Sequence, residues 1–142
     1  MTPWLFEDKE VKSLEDVPEG AAGFIYLMSN VDGQCYIGKK SFYSTTTRPP
    51  LKGTRRKRKV TKESNWLTYK SSNKVVKDWQ DWEITKRVII NYAYTKKHLT
   101  YLECHALFTL NVLRSKVFLN DNILGKFFGS DLDFLPNEEV NR

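Results

Sequence analysis

Two short runs rich in β-branched and aromatic residues, 23 to 28 and 34 to 39, flank Ser29-Asn30-Val31-Asp32-Gly33. Asp-Gly between such runs is a strong hairpin signal, so the runs are predicted to pair antiparallel. Because side chains alternate across a strand, Phe24, Tyr26 and Met28 share one face, and Tyr36 and Gly38 share one face of the partner. Two phenols are thereby brought side by side. Gly23 and Gly38, at the outer ends of the pair, are expected to leave backbone room for something bulky such as a phosphate. An ordinary amphipathic hairpin whose tyrosines cover a core edge explains the same residues when they are taken alone.

Charge narrows the choice of partner. From Lys52 to Lys62 the chain carries Lys52, Arg55, Arg56, Lys57, Arg58, Lys59 and Lys62 with no acidic residue among them. The whole chain has a net charge of +6; removing those seven leaves 16 basic against 17 acidic residues. All the excess positive charge is therefore local, a distribution that suits a polyanion. A solvated loop or a basic address signal is the bland alternative. Pro49-Pro50 and Gly53 predict that the segment enters as an irregular loop rather than a helix. Residues 1–22 hold six acids and two lysines, and residues 130–142 hold four acids and Arg142. Both are read as acidic flanks, the first an arm or short helix leading into the hairpin and the second a tail.

With 142 residues, 40% of them hydrophobic, the chain is long enough for one buried core and short for two. No apolar run reaches bilayer-spanning length and the N-terminus lacks a signal-peptide pattern, which predicts a soluble intracellular protein in the cytoplasm with no membrane partner. Cys35 and Cys104 suit neither a disulfide framework nor a zinc site, even with His98 and His105. Ser72 or Asn73 is placed to cap a short helix. Residues 84–94 alternate as a third strand, with Lys86, Val88, Ile90, Tyr92 and Tyr94 on one face and Thr85, Arg87, Ile89, Asn91 and Ala93 on the other. Neither face is purely polar, so that strand is expected to be central.

A late helix is predicted over roughly 97–114. At about 100° per residue, Leu99, Leu102, Ala106, Leu107, Leu110 and Leu113 form one apolar arc, and Glu103 falls inside it. Burying an unpartnered carboxylate costs several kcal/mol, so Glu103 needs a cation, a donor or a metal nearby. A structural salt bridge to Lys39, Lys40, Arg87 or another basic side chain is one answer.

The triplets at Phe24-Ile25-Tyr26 and Tyr36-Ile37-Gly38, with the tyrosines ten positions apart, resemble the GIY-YIG nuclease superfamily. Further residues resemble its small phage-encoded, Seg-type members related to free-standing homing endonucleases: Lys39-Lys40, the basic insertion, Ser64-Asn65-Trp66-Leu67-Thr68-Tyr69, Glu103, and Asn120 to Phe127. The resemblance covers about residues 23–128. It implies an α+β domain, a three-stranded antiparallel sheet flanked by helices, over residues 23–129 with a basic insertion at about 41–66. It also implies a phage-encoded, divalent-metal-dependent DNA endonuclease, serving homing or cleavage of host or rival DNA in the host cytoplasm.

Residue by residue, the resemblance makes Glu103 the ligand of one Mg²⁺ or Mn²⁺ and Tyr26 the general base. Tyr36 orients the water, and Lys40 or Lys39 faces the scissile phosphate. Tyr69 contacts the same phosphate, and Asn120 or Asn122 orients the site. A phenol of ordinary pKa near 10 needs a depressed value for that task, which neighbouring lysines and the metal are expected to supply. The phosphate-clamping arginine stays open among Arg48, Arg55, Arg56 and Arg58. With Lys39, Lys52, Lys57, Lys59 and Lys62, these form the expected DNA footprint. A double-strand break would call for a homodimer or two successive nicks. Two other classes fit parts of the pattern: a non-catalytic nucleic-acid-binding regulator that keeps the fold, and a protein-interaction module built on Trp66, Trp79 and Trp82.

Overall fold

The tyrosine-bearing runs do form a hairpin, and its turn shows why the register holds. Asn30 Oδ1 accepts from Asp32 N at 3.0 Å and from Gln34 N at 2.9 Å, and Gly33 takes φ +79°. In this computed structural model, residues 1–133 are described, and most of the acidic tail lies outside the described residues. In chain order the strands are β1 (Trp4–Phe6), β2 (Lys9–Val11), β3 (Gly23–Asn30), β4 (Cys35–Ser41), β5 (Tyr43–Arg48), β6 (Arg58–Glu63), β7 (Ile84–Ala93), β8 (Asn122–Ile123) and β9 (Phe127–Phe128). The helices are α1 (Lys74–Lys77) and α2 (Lys96–Thr109).

The α+β class is as expected, but the sheet is not three-stranded and antiparallel. Five strands in the order β2-β1-β7-β3-β4 form one sheet, with β1 parallel to β7 and the other neighbours antiparallel. The additional strands come from the segment read as an acidic arm. Glu7 and Asp8 both take positive φ and turn β1 back into β2, as a tight two-residue hairpin requires. Trp4 and Val11 pair across that hairpin and are buried, while Glu10 stays exposed. Glu7 and Asp8 thus occupy the turn and Glu10 the outside of the edge strand β2, while Glu15 and Asp16 lie in a following 3₁₀ turn.

β7 lies at the centre of the sheet, as expected, but its face pattern is broken. Ile25 pairs with Asn91 and Tyr26 with Ile89, so a bulge falls at Ile90. Ile89 and Tyr92 consequently pack on one side of the sheet and Ile90 and Ala93 on the other. One extra residue reverses the alternation beyond it.

The two cores lie on opposite sheet faces. One is aromatic: Trp4, Phe24, Tyr26, Phe42 and Trp66, with Tyr36, Tyr69 and Tyr92 at its margin. The other packs Ile25, Ile37 and Ala93 under Leu99 and Leu107 of α2 and Ile123 of β8. Thr95 caps α2, accepting from His98 N at 3.0 Å. The helix stops at Thr109, short of the predicted end, because Asn111 enters the left-handed region at φ +52°. Leu110 is therefore exposed, while Leu113 packs from the following 3₁₀ turn. The Asn73 cap is present, its side chain accepting from Val75 N and Val76 N. No helix among the described residues is long and apolar enough to cross a membrane.

Candidate active site

β4 is an edge of the five-stranded sheet, and the candidate residues gather around it from both faces. On the aromatic face, Tyr26 lies opposite Gly38 and Tyr36 opposite Met28. The Tyr26 and Tyr36 rings are 6.4 Å apart, and the Tyr69 ring meets Tyr26 edge-on at 6.1 Å. The ammonium of Lys40 sits 4.2 Å from the Tyr69 ring centroid, a cation–π contact. All three tyrosines and Lys40 therefore form one cluster.

The glycines do something other than admit a phosphate. A Cβ on Gly38 would collide with the Tyr26 hydroxyl, and one on Gly23 would stand 2.6 Å from Lys40 O and 2.9 Å from Leu99 Cδ2. The space is already filled by a phenol and by helix α2.

On the other face, Glu103 of α2 is half-buried, with Lys39 Nζ 3.9 Å from its Oε1. Lys39 also donates to Thr100 Oγ1 at 2.9 Å. Of the cations proposed as partners for Glu103, Lys39 is the one that pairs with it. Arg87 instead lies on the aromatic side, donating to the carbonyls of Thr2, Leu67 and Tyr69 at 2.8–2.9 Å and stacking over Trp4. Burial without a directly paired carboxylate pulls its guanidinium down to about 10. It ties the Tyr69 loop to β7 and the N-terminal residues.

Around the free edge of β4, Tyr36, Lys39, Glu103, Asn120, Asp121 and Asn122 line an open cleft of about 340 Å³. Asn120 caps that edge: its Oδ1 accepts from Ile37 N at 3.0 Å and its Nδ2 donates to Ile37 O at 2.7 Å. Asn122 is engaged locally, with Asp121 and Gly125 N. Among the described residues no group of three or more His, Cys, Asp or Glu side chains is arranged to hold a metal ion. Glu103, in an open, polar cleft that Asp121 also lines, nevertheless fits a Mg²⁺-type ion, which keeps several waters and takes few protein ligands.

Burial works against the lowered phenol expected from lysines and a metal. Burial drives the Tyr26 hydroxyl, on a residue only 1% exposed, far above the ordinary phenol range, and Tyr36 is raised for the same reason. Burial also raises Glu103, against the pull of Lys39, and lowers Lys40. The one neighbour drawing both phenols downward is Ser71, through hydrogen bonding. Ser71 is buried, takes φ +114°, and its Oγ accepts from Asn73 N at 3.1 Å. Nothing in the sequence marks it, since serine two residues after a tyrosine is unremarkable in composition and spacing.

The basic residues lie outside the cleft. Phe42 and Trp66 bury at 5.0 Å from each other and anchor a two-stranded ribbon, β5–β6, whose loop spans 49–57. Arg48, Arg58, Lys59 and Lys62 are on its strands, while Lys52, Arg55, Arg56 and Lys57 are on the loop, and all are exposed. The segment is thus a hairpin with an irregular tip rather than loop throughout.

Paired tyrosines on an internal strand and the neighbouring edge strand, with one helix-borne glutamate beside them, thus stand in a mixed five-stranded sheet where the resemblance implied an antiparallel three-stranded one. The family model described as "Putative endonuclease segE, GIY-YIG domain" matches residues 4–123, from the first residue of β1 to the last of β8, and the chain belongs to this GIY-YIG endonuclease family. No curated protein and no solved structure matches it.

Proposed function

We propose that this chain is a divalent-metal-dependent DNA endonuclease that hydrolyses phosphodiester bonds at the β4 edge. The observation that carries this reading is the convergence of Glu103, Tyr36 and Lys39 on one cleft, with Tyr26, Tyr69 and Lys40 directly behind it. Phosphate binding alone needs cations and has no use for a half-buried carboxylate.

Hydrolysis needs an activated water, charge neutralisation on the phosphorus oxygens and help for the departing oxygen. Glu103 would hold one Mg²⁺ or Mn²⁺, which supplies charge neutralisation. Lys39 lines the cleft and Lys40 stands on the opposite face of β4, and both stabilise the scissile phosphate, with Tyr69 held beside Lys40. Tyr36 opens on the cleft and orients the water. Tyr26 is the general base, and its proton is shared with Tyr36, with the Ser71 hydroxyl, which draws both phenols downward, as the relay between them. Asn120 acts indirectly, holding β4 to the C-terminal segment that walls the cleft.

Residues 1–129 make one nuclease domain with the ribbon as its insertion, and the exposed arginines and lysines of the ribbon are the DNA footprint. One site cuts one strand, so a double-strand break calls for a homodimer or successive nicks. Seg-type kinship supports a phage-encoded enzyme in the host cytoplasm, used in homing or in cleaving host or rival DNA. A second reading, a DNA-binding regulator without turnover, is favoured by one observation: Lys39 already pairs with Glu103. Supercoiled plasmid and linear DNA incubated with Mg²⁺ or EDTA separate the two. Nicks or breaks that need the metal support the endonuclease; DNA that shifts on a gel and stays intact supports the regulator.

A further inference from the structure

The β5–β6 ribbon pairs with no other strand, and nearly all its side chains are exposed. Its register sorts the charges by face. Tyr43 opposes Glu63, Thr45 opposes Thr61 and Thr47 opposes Lys59 on one face; Ser44 opposes Lys62, Thr46 opposes Val60 and Arg48 opposes Arg58 on the other. The first face carries one lysine and one glutamate and is stitched by a Thr45–Thr61 hydroxyl contact of 3.1 Å. The second carries three cations and no acid. Arg48 and Arg58 stand directly opposite one another, a like-charge arrangement that destabilises a strand pair. Among the described residues no acidic side chain bridges to either, or to Lys62. An unneutralised cationic pair of this kind is what an external polyanion would relieve.

The cationic face also leads somewhere. At its base Ser44 and Lys62 share an open groove of about 420 Å³ with Glu63, Asn65 and Lys40, and the Lys40 ammonium covers Tyr69 in the tyrosine cluster. From Lys62 to Arg58 the strand rises roughly 13 Å, room for several phosphates of one DNA strand at an axial spacing of about 3.4 Å.

We infer that the Ser44–Arg48–Arg58–Lys62 face of the ribbon is a one-sided track for the phosphate backbone of the DNA strand that passes through the candidate active site, and that Thr45, Thr47 and Thr61 on the other face meet no phosphate. The inference rests on the endonuclease reading for the identity of the strand. It deepens that reading, because the basic segment acts through one face rather than as a diffuse charge.

The test compares three full-length proteins: the parent, Arg48→Gln/Arg58→Gln/Lys62→Gln, and that triple variant with Thr45→Lys/Thr47→Lys/Thr61→Lys added. The last has the parent's net charge, moved to the other face. Every substituted position is exposed, and thermal melting verifies folding. Binding to a 30-base-pair duplex is measured in EDTA across a KCl series. At about 0.9 in slope for each phosphate that is no longer neutralised, the triple variant should show a log–log salt slope shallower by about 2 to 3 and at least tenfold weaker binding at low salt. The relocated variant should recover neither. Recovery of parental slope and affinity by the relocated charges would overturn the inference, as would an unchanged slope in the triple variant. So would equal competition by polyglutamate, which would assign the track to an acidic protein. Metal-dependent cleavage is read on the parent alone, so a parent that binds with the sided pattern but does not cut removes the endonuclease reading and leaves the track.

Discussion

Glu103 sits where its charge is costly to the fold, on the apolar side of α2. Burial raises its carboxyl, which means that the folded state favours the neutral form. Glutamine imitates that form. Glu103→Gln should therefore melt no lower than the parent, and higher at neutral pH where the parent's charge is penalised, while cleavage falls by a factor of about 100 or more, on the order of a removed electrostatic group. Ser71 has the same signature for a different reason. Its φ of +114° costs a non-glycine residue ~1 kcal/mol or more, so Ser71→Gly should raise the melting temperature, yet slow single-turnover cleavage about tenfold at saturating DNA. A glycine that is both more stable and fully active would deny the hydroxyl any role. Both phenols are raised, and only the deprotonated phenol accepts a proton. The cleavage rate should accordingly climb with pH through the neutral and mildly alkaline range instead of levelling near 7, as a pH–rate profile will show. At this scale the sequence was legible for the tyrosines, Lys39, Lys40 and Glu103, because triplets and an out-of-place carboxylate leave marks in one dimension. Ser71 was not, since backbone strain and burial have no one-dimensional trace. Burial opposes the lowering of a phenol expected from neighbouring lysines and a metal, and burial could not be weighed from the sequence.

Among the elements, the free edge of β4 decides the shape of the cleft. Asn120 satisfies both backbone groups of Ile37 on that edge, a side-chain substitute for a sixth strand. Asn120→Ala leaves those groups unpaired and should cost about 1–3 kcal/mol, lowering both the melting temperature and the cleavage rate; Asn122→Ala, whose bonds are local, should do less. Gly38→Ala places a methyl against the Tyr26 hydroxyl, and overpacking of this kind costs typically about 1–3 kcal/mol. Tyr26→Phe in the same chain should recover part of that stability and none of the activity. The hairpin, the Asn73 cap, the central strand and most of α2 could be read from periodicity and turn residues. The choice between Asn120 and Asn122 could not, because it depends on which side chain reaches Ile37. The bulge at Ile90 also escaped, since one inserted residue looks like ordinary alternation until the partner strand is known.

At the scale of the whole molecule, the N-terminal residues and the candidate site are one structure. Trp4 is buried, its rings 5.0 and 5.5 Å from Phe24 and Tyr26, and its Nε1 donates to Trp66 O at 2.9 Å. Arg87 binds Thr2 O and Tyr69 O together. Trp4→Ala should cost about 3–5 kcal/mol, measurable by denaturant melting, and should loosen the Tyr69 loop. The acidic composition concealed these strands: six acids in 22 residues suggested a solvated arm, whereas two buried side chains suffice to dock a short ribbon. Charge segregation in the basic insertion was visible in the sequence, but its division between two faces depends on a pairing register that no composition reveals. The most direct test of the central claim sets the parent beside Glu103→Gln and Tyr26→Phe on supercoiled plasmid, with Mg²⁺ or EDTA, and measures duplex binding in parallel. The account predicts cleavage by the parent in Mg²⁺ alone, none by either variant, and parental DNA affinity in all three; cleavage that persists in EDTA or in Glu103→Gln would contradict it.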